Sequence, residues 1–525
     1  MRATFSGFYI AKQGLNAARA QLEVTGQNIT NATTKGYTRQ CVDTYAVGPY
    51  SQNTRYALTK DAHIGYGVQI SGSSQLRDPY LDVRYRRENA KVGEAAAQYN
   101  GLTDLGYLFD SATEESFDTQ FSDIVTQLQT LSNKPSDTVS ENLVKTSVSL
   151  LLQMFNNYSS QLDSLREQHI DNLNNGTILS ANQCLSGIAE LNQAIKSASL
   201  SGNSALELKD QRNLLLDQLS QYVNIEVAYS PVNVGGGVSV EELSVNMIAP
   251  NGDKFNLIDN ESFRQFEMTE NGDTIGIRLL EANGAVVETS VNGSINLTGG
   301  DISDQLNTGS FYGELKYING EGEFGDPPSK VRGLPYYQKM LDTIALEFAH
   351  VMNEANRGAD GTEKPLFASS VTGETMSAGN ITISDEWSQA TGSYITKTKE
   401  VASGGTENTD DNSNILHMIS LFNQKNAFQT ENGYALFSGT FQECISNISA
   451  TQGLEKENIS SQYKIYASNI EDIDTLRKSI STVDTDEEAI NLIMYNQSLT
   501  ACSRFMTTLD EALDTIINRM GIVGR

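Results

Sequence analysis

The final stretch of this 525-residue chain carries apolar side chains at strictly alternating steps of three and four: Leu492, Tyr495, Leu499, Cys502, Met506, Leu509, Leu513, Ile516 and Met520. Nine unbroken a and d positions describe a coiled-coil seam, which needs a second helix to cover it. A complementary pattern lies at the other end of the chain. Residues 5–31 repeat every seven positions, with Phe8, Leu15, Leu22 and Ile29 in one seam and Ala11, Ala18 and Thr25 in the next. The spacing predicts two terminal helices that pair, used either as plain core or as an assembly surface. The last helix is expected to open at Thr485-Asp486-Glu487-Glu488, whose letters match a capping box between Thr485 and Glu488.

Between the ends the periodicity changes repeatedly. Residues 38–82 are rich in Gly, Ser and Tyr and lack helical spacing, which predicts extended, hairpin-like chain. From Asp82 to Tyr222 the only proline is Pro135, and Phe117, Phe121, Ile124, Leu128 and Leu131 recur at helical steps, as do Val144, Val148, Leu151 and Phe155. Residues 223–330 contain Asn-Gly pairs at 251, 271, 283, 292 and 319, a dipeptide that favours the primed turns of hairpins. A helix resumes near Tyr336–Asn356, and helices are expected to dominate after residue 412. The fold class is therefore multidomain and mainly α with a β-rich insertion. Its segments are 1–84 (first terminal helix and extended chain), 85–222 (helical bundle), 223–330 (outer β domain), 331–484 (helical and mixed) and 485–525 (closing helix).

Charge and composition exclude several functions. With 37 basic and 65 acidic side chains the net charge is −28, which argues against nucleic acid or anionic lipid as the main partner, since both need clustered cations. The balance is uneven: residues 1–100 hold twelve basic and seven acidic side chains, the remaining 425 residues 25 and 58. Cys41, Cys184, Cys444 and Cys502 form no Cys-x-x-Cys pair and read as small apolar fillers. The four histidines are scattered and match no metal motif, and no stretch reaches 18 apolar residues. The N-terminus lacks the apolar core of a secretory signal peptide.

Catalytic signatures are equally sparse. Gly320-Glu321-Gly322-Glu323-Phe324-Gly325 spells a dinucleotide motif, but its carboxylates would repel a pyrophosphate and Pro327-Pro328 stands where a helix should begin. The run Asp410-Asp411-Asn412-Ser413-Asn414 lacks the spacing of a calcium loop. Adjacent acids such as Glu114-Glu115, Glu241-Glu242 and Glu487-Glu488 read as caps or wet surface. No catalytic residue, cofactor site or metal site is assigned.

After the first helix come Asn28, Asn31, Thr34, Gly36 and Tyr37, continued by Arg39 and Gln40. This Asn-x-x-Asn-x-x-Thr-x-Gly-Tyr pattern, with a closing helix containing Leu492-Ile493-Met494-Tyr495-Asn496-Gln497, resembles the axial proteins of the bacterial flagellum, the family of rod, hook and hook-associated proteins. Lys35, Leu499 and Asn496 depart from the usual proline, tyrosine and glutamine. The ending Tyr37-Thr38-Arg39-Gln40, the length, and Leu208-Lys209-Asp210-Gln211-Arg212 are most similar to the hook-associated members.

The resemblance implies a non-enzymatic adaptor between hook and filament, exported through the flagellar type III apparatus without a cleaved signal peptide and resident outside the cell. It implies paired terminal helices as an inner tube and partners that include further copies in a ring-like layer, the hook protein, the second junction protein, an export chaperone and the export apparatus. It implies neither nucleic acid nor membrane insertion. Two alternatives are another axial component and a secreted acidic enzyme or adhesin; a polar, convergent cleft with perturbed carboxylates would favour the latter.

Overall fold

The computed structural model describes residues 6–47, 65, 67–109, 111–235, 238–291, 293, 295–358, 361–399, 408, 410–430 and 432–519. Met520 therefore lies outside the described residues, as does Asn292. The chain opens with helix α1 (Ser6–Asn31), an antiparallel hairpin of β1 (Gln40–Ala46) and β2 (Val68–Gln75), and α2 (Pro79–Leu108). The helix expected from Asp82 begins three residues earlier because Asp78 caps it, accepting from the Tyr80 amide, and Pro79 supplies a pre-set φ at the first helical position. Then follow α3 (Ser111–Asn133), α4 (Thr138–Asn172), a π-helical turn (Leu173–Ile178), α5 (Leu179–Leu200) and α6 (Leu206–Tyr222).

The β-rich part holds β3 (Ile225–Gly235), β4 (Val238–Ile248), β5 (Lys254–Asp259) and β6 (Ser262–Phe263) in one antiparallel sheet of that order. A separate hairpin joins β7 (Gln265–Asn271) to β8 (Thr274–Leu280). Gly272 turns that hairpin at φ +65°, as the Asn-Gly reading requires. The pair at Asn319-Gly320 does something else. It ends a helix, α7 (Ser310–Asn319), and the Asn319 amide clamps the Ile275 backbone of β8, at 2.9 Å from its N–H and 2.6 Å from its C=O. The insertion is thus β-rich only to about residue 280.

Helix α8 (Leu334–Ala355) leads to the short pair β9 (Phe367–Ser369) and β10 (Ile381–Ile383), the one-turn α9 (Asp385–Gln389) and α10 (Ser413–Phe422). A hairpin of β11 (Asn426–Gln429) and β12 (Ala435–Gly439) interrupts the expected run of helices. Last come α11 (Phe441–Ser481), opened by a Thr440–Glu443 capping box, and α12 (Thr485–Asp514) with a π-helical end at Thr515–Arg519.

Two apolar cores organise these elements. The first fills a helical body and gathers Phe117, Phe121, Phe155, Phe348, Phe441 and the sole tryptophan, Trp387. Phe348 touches Phe121, Phe367, Phe422 and Phe441 at centroid distances of 5.3–6.0 Å, within the range of favourable aromatic pairs. Glu141 is buried yet satisfied, accepting from Trp387 Nε1 and from the Tyr394 and Ile395 amides, so it pins α9 and the irregular segment after it to α4. The second core lies between α5, α6, α7 and the sheets, with Leu185, Leu216, Val245, Phe255, Phe266 and Phe311. Neither core contains a residue of α1, β1, β2 or α12.

Phe348→Ala is expected to destabilise the helical body by about 3–5 kcal/mol, the cost of a large cavity in a close-packed core. Urea titration followed by Trp387 fluorescence measures this directly, because that tryptophan packs 6.4 Å from Phe367 in the same core.

Candidate functional site: the terminal helix pair and its joint

Helices α1 and α12 run antiparallel along each other. A Cβ added at Gly7 would lie 3.0 Å from Leu509, and one at Gly14 would lie 2.8 Å from the Cys502 sulfur. A step of seven forward in α1 is matched by a step of seven backward in α12, so the seam keeps register. The row of α1 that α12 covers is the small-residue one. Ala11, Ala18 and Thr25 are buried, whereas Phe8, Leu15, Leu22 and Ile29 are half-buried. Glycine and alanine let the two axes approach closely, and the leucine row is left at the flank of the pair.

On α12 the seam residues Tyr495, Leu499, Cys502, Met506, Leu509 and Leu513 are half-buried, while Leu492 and Ile516 remain exposed. A second apolar row faces away: Ile490 (65% exposed), Ile493, Met494 and Phe505 (45%). Sequence periodicity singled out the seam and missed this outer row, although the steps 490, 494, 505 are themselves helical.

The end of α1 is tied down by the Asn28 motif. Asn28 is buried; its Nδ2 donates to the Gln40 carbonyl at 2.9 Å, and its Oδ1 accepts from the Gln40 amide at 3.0 Å and from the Tyr37 hydroxyl at 2.9 Å. The side chain thus substitutes for a strand partner and closes the loop. Asn31 donates to the Gln27 carbonyl and accepts from Thr34, completing the turn. Gly36 has φ +83°, a conformation that L side chains resist, and lies against Leu214 of α6. Burial first, and then the carboxylates Glu207, Asp210 and Glu488, push the Tyr37 hydroxyl up to about 12.

From this loop, polar contacts reach the rest of the chain. Arg39 donates to Glu488 at 2.7 Å and to Glu487 at 2.8 Å, and its amide donates to the Ser481 carbonyl. The capping box expected at Thr485 is therefore not formed. Asp484 caps α12 by accepting from the amides of Asp486 and Glu487, and Glu488 is drawn to Arg39 instead. The Thr38 amide donates to Asp210 at 2.9 Å, and Gln27 and Gln40 both donate to Glu207.

Beside these contacts an ionic chain crosses from α2 to α11. Arg77 pairs with Asp82 (2.6 Å), Asp82 with Arg477 (3.2 Å), Arg477 with Asp217 (2.7 Å) and Asp217 with Arg86 (2.9 Å). Arg77, Asp82, Asp217 and Arg477 border a polar cavity of about 510 Å³ between the loop, α2, α6 and α11. Burial raises Asp210, opposed by the Thr38 hydrogen bonds. Each of these carboxylates is held by a cation or a backbone amide, so the cleft acts as a joint. Among the described residues no cluster of three or more His, Cys, Asp or Glu could hold a metal, and no helix is long and apolar enough to cross a membrane. Periodicity could not find the joint, because Thr38 and Asp210 are 172 positions apart.

A pair of end helices closed by this knot and flanking a helical body with a β-rich outer part is the arrangement of a flagellar axial protein. Three family models agree: flagella basal body rod protein over residues 8–38, the flagellar basal body rod FlgEFG C-terminal region over 479–520, and the helical domain of flagellar hook-associated protein FlgK over 102–367. The chain belongs to the FlgK family of hook-associated proteins. Flagellar hook-associated protein 1 of Bacillus subtilis is 27% identical over 537 residues, with both chains covered in full. That of Escherichia coli is 26% identical over 361 residues, which are 66% of this chain and 56% of its own. The solved hook junction protein FlgK of Burkholderia pseudomallei shares the fold, with a TM-score of 0.56 at 14% identity over 76% of this chain and all of that one.

Asn28→Ala is expected to destabilise the terminal module by about 2 kcal/mol or more, since it strands the buried amide and carbonyl of Gln40 without partners. Hydrogen exchange across residues 24–31 and 485–495 measures the loss, with the helical body unaffected.

Proposed function

We propose that this chain is a non-enzymatic adaptor that joins hook to filament, and that the α1–α12 pair is its assembly element. The observation that carries the reading is the outer apolar row of α12. Ile490, Ile493, Met494 and Phe505 are exposed in the single chain, and nothing among the described residues covers them. Further copies stacked around an axis would bury this row and the flanking Phe8, Leu15, Leu22 and Ile29. The intramolecular pair then uses the seam from Tyr495 to Leu513, and the intermolecular contact uses what is left.

In this arrangement residues 1–84 and 485–525 form the inner layer, 85–222 and 331–484 the helical body around it, and 223–330 the outermost part. Copies form a ring-like layer that meets the hook protein on one side and the second junction protein on the other. The chain reaches that position outside the cell through the flagellar export apparatus, with a chaperone shielding the apolar ends until assembly. A terminal module that shares no core with the rest of the chain supports this, because its helices can order last, on contact with neighbouring copies, without repacking either body. The +5 balance of the first hundred residues against the acidic remainder supports attraction between neighbouring copies, screened by salt.

Phe505→Ser tests the reading. It should leave the circular dichroism of the purified chain nearly unchanged, because Phe505 is half-exposed and belongs to neither apolar core. Incorporation at the junction and motility should fall strongly, since about 2 kcal/mol of burial is lost at each contact between copies. Leu509→Asp, which opens the α1–α12 seam itself, should abolish incorporation while the helical body stays folded. Normal filaments in both variants would refute the assembly role of the pair.

A further inference from the structure

The helical body and the β-rich part are joined by one continuous helical run. Helix α4 contributes Val144 to Leu162 to the first core, and from Leu173 onward the run contributes to the second. The crossing point is the π-helical turn Leu173–Ile178. An extra residue in a helical turn weakens its hydrogen-bond ladder and marks a place where a helix bends.

Helix α7 spans the same crossing from the other side. Its Tyr317 belongs to the first core, and Phe311, Leu315 and Ile318 belong to the second.

The groups that meet there are polar and incompletely partnered, unlike the dry cores on either side. Glu314 of α7 accepts from the Thr177 hydroxyl of the π-turn at 2.8 Å through one oxygen; its other oxygen is buried without a partner among the described residues. The hydroxyls of Ser310 and Tyr317 are likewise buried and unpartnered. His169, one turn before the π-turn, packs edge-on to Tyr317 at 4.8 Å and sits 3.4 Å from Asp104 of α2. A cavity of about 510 Å³ opens beside them, lined by Asp104, His169, Asp171, Asn172, Asn175 and Gly176. Buried polar atoms left without partners favour any state that admits water to them.

We propose that the π-turn and α7 form a hinge between the helical body and the β-rich body, and that Glu314 is the group through which pH sets it. In the closed state the Glu314 carboxyl is dry and neutral; ionisation draws water into the seam and loosens α7 from the π-turn. Burial pushes Glu314 up to about 7, only partly opposed by the Thr177 hydrogen bond. A carboxyl raised in the closed state stabilises that state below its ordinary range, and the stabilisation is lost as pH rises toward 7.

The titratable groups around it act more weakly or in the opposite sense. Tyr222 of α6 is itself raised by burial, with Cys184 and Glu314 among its further causes. Lys316 of α7 is paired with Glu94. His169 is lowered by burial and opposed by Asp104, so its protonation opens the seam on the acid side.

Glu314→Gln keeps the acceptor for Thr177 and cannot ionise, which separates its effect from that of His169. Hydrogen exchange on the full chain, at pH 6 and pH 8 with labelling times scaled to the intrinsic rate, follows amides 173–178 and 310–319. The ratio of opening in the natural chain to opening in the variant is expected to rise about tenfold between the two pH values, the factor set by a carboxyl moving from its ordinary range to about 7. Amides 144–155 in the helical body should show no such change. A ratio that stays flat would overturn the role of Glu314, and an equal rise across 144–155 would overturn the hinge.

Discussion

Everything about the ends of this molecule depends on one buried amide. Asn28 offers a donor and an acceptor to the backbone of Gln40 and receives the Tyr37 hydroxyl, and so it fixes where the chain leaves α1. That exit places Thr38 on Asp210, Gln40 on Glu207, and Arg39 between Glu487 and Glu488. The last of these contacts joins the first helix to the last. Without the knot, the antiparallel register of α1 on α12 would have only apolar packing to define it, and a heptad pattern alone permits slips of one repeat.

The consequence is a molecule built in two manners. The helical body and the β-rich part each close around a dense apolar core, whereas the terminal pair attaches to them through hydrogen bonds and ion pairs around a wet cavity. Polar attachment contributes less than core packing but is specific in geometry. A module held this way contributes no residue to either core. The family to which the chain belongs, with FlgK as its namesake, places such a module in the flagellum, where the chain serves as a structural part.

Much of this was legible in the sequence, and the failures are instructive. The middle of the α12 seam, from Tyr495 to Leu513, the β1–β2 hairpin, the helical runs from Phe117 to Phe155 and the turn at Gly272 follow from local rules of period and turn chemistry. The Asn28 motif was legible as a resemblance before its hydrogen bonds were known. The capping box at Thr485 failed because Asp484 is a competent cap one residue earlier and Glu488 had a charged partner 449 positions away. Asn319-Gly320 failed because the asparagine was claimed by a strand backbone rather than by its own turn. The β11–β12 hairpin carries its own local signal, Asn432-Gly433 with Gly433 at φ +81°, set between helical stretches. The joint and the outer row of α12 depend on contacts distant in sequence or on which face is left over, and neither is a local property.

The proposed position of this chain is the boundary between hook and filament, with its β-rich part outermost. Electron microscopy of isolated flagella labelled with an antibody to residues 231–330 tests it most directly. A narrow band of label confined to the hook–filament boundary is expected on intact flagella. Label spread along the filament or the hook, or absent from flagella altogether, would contradict it.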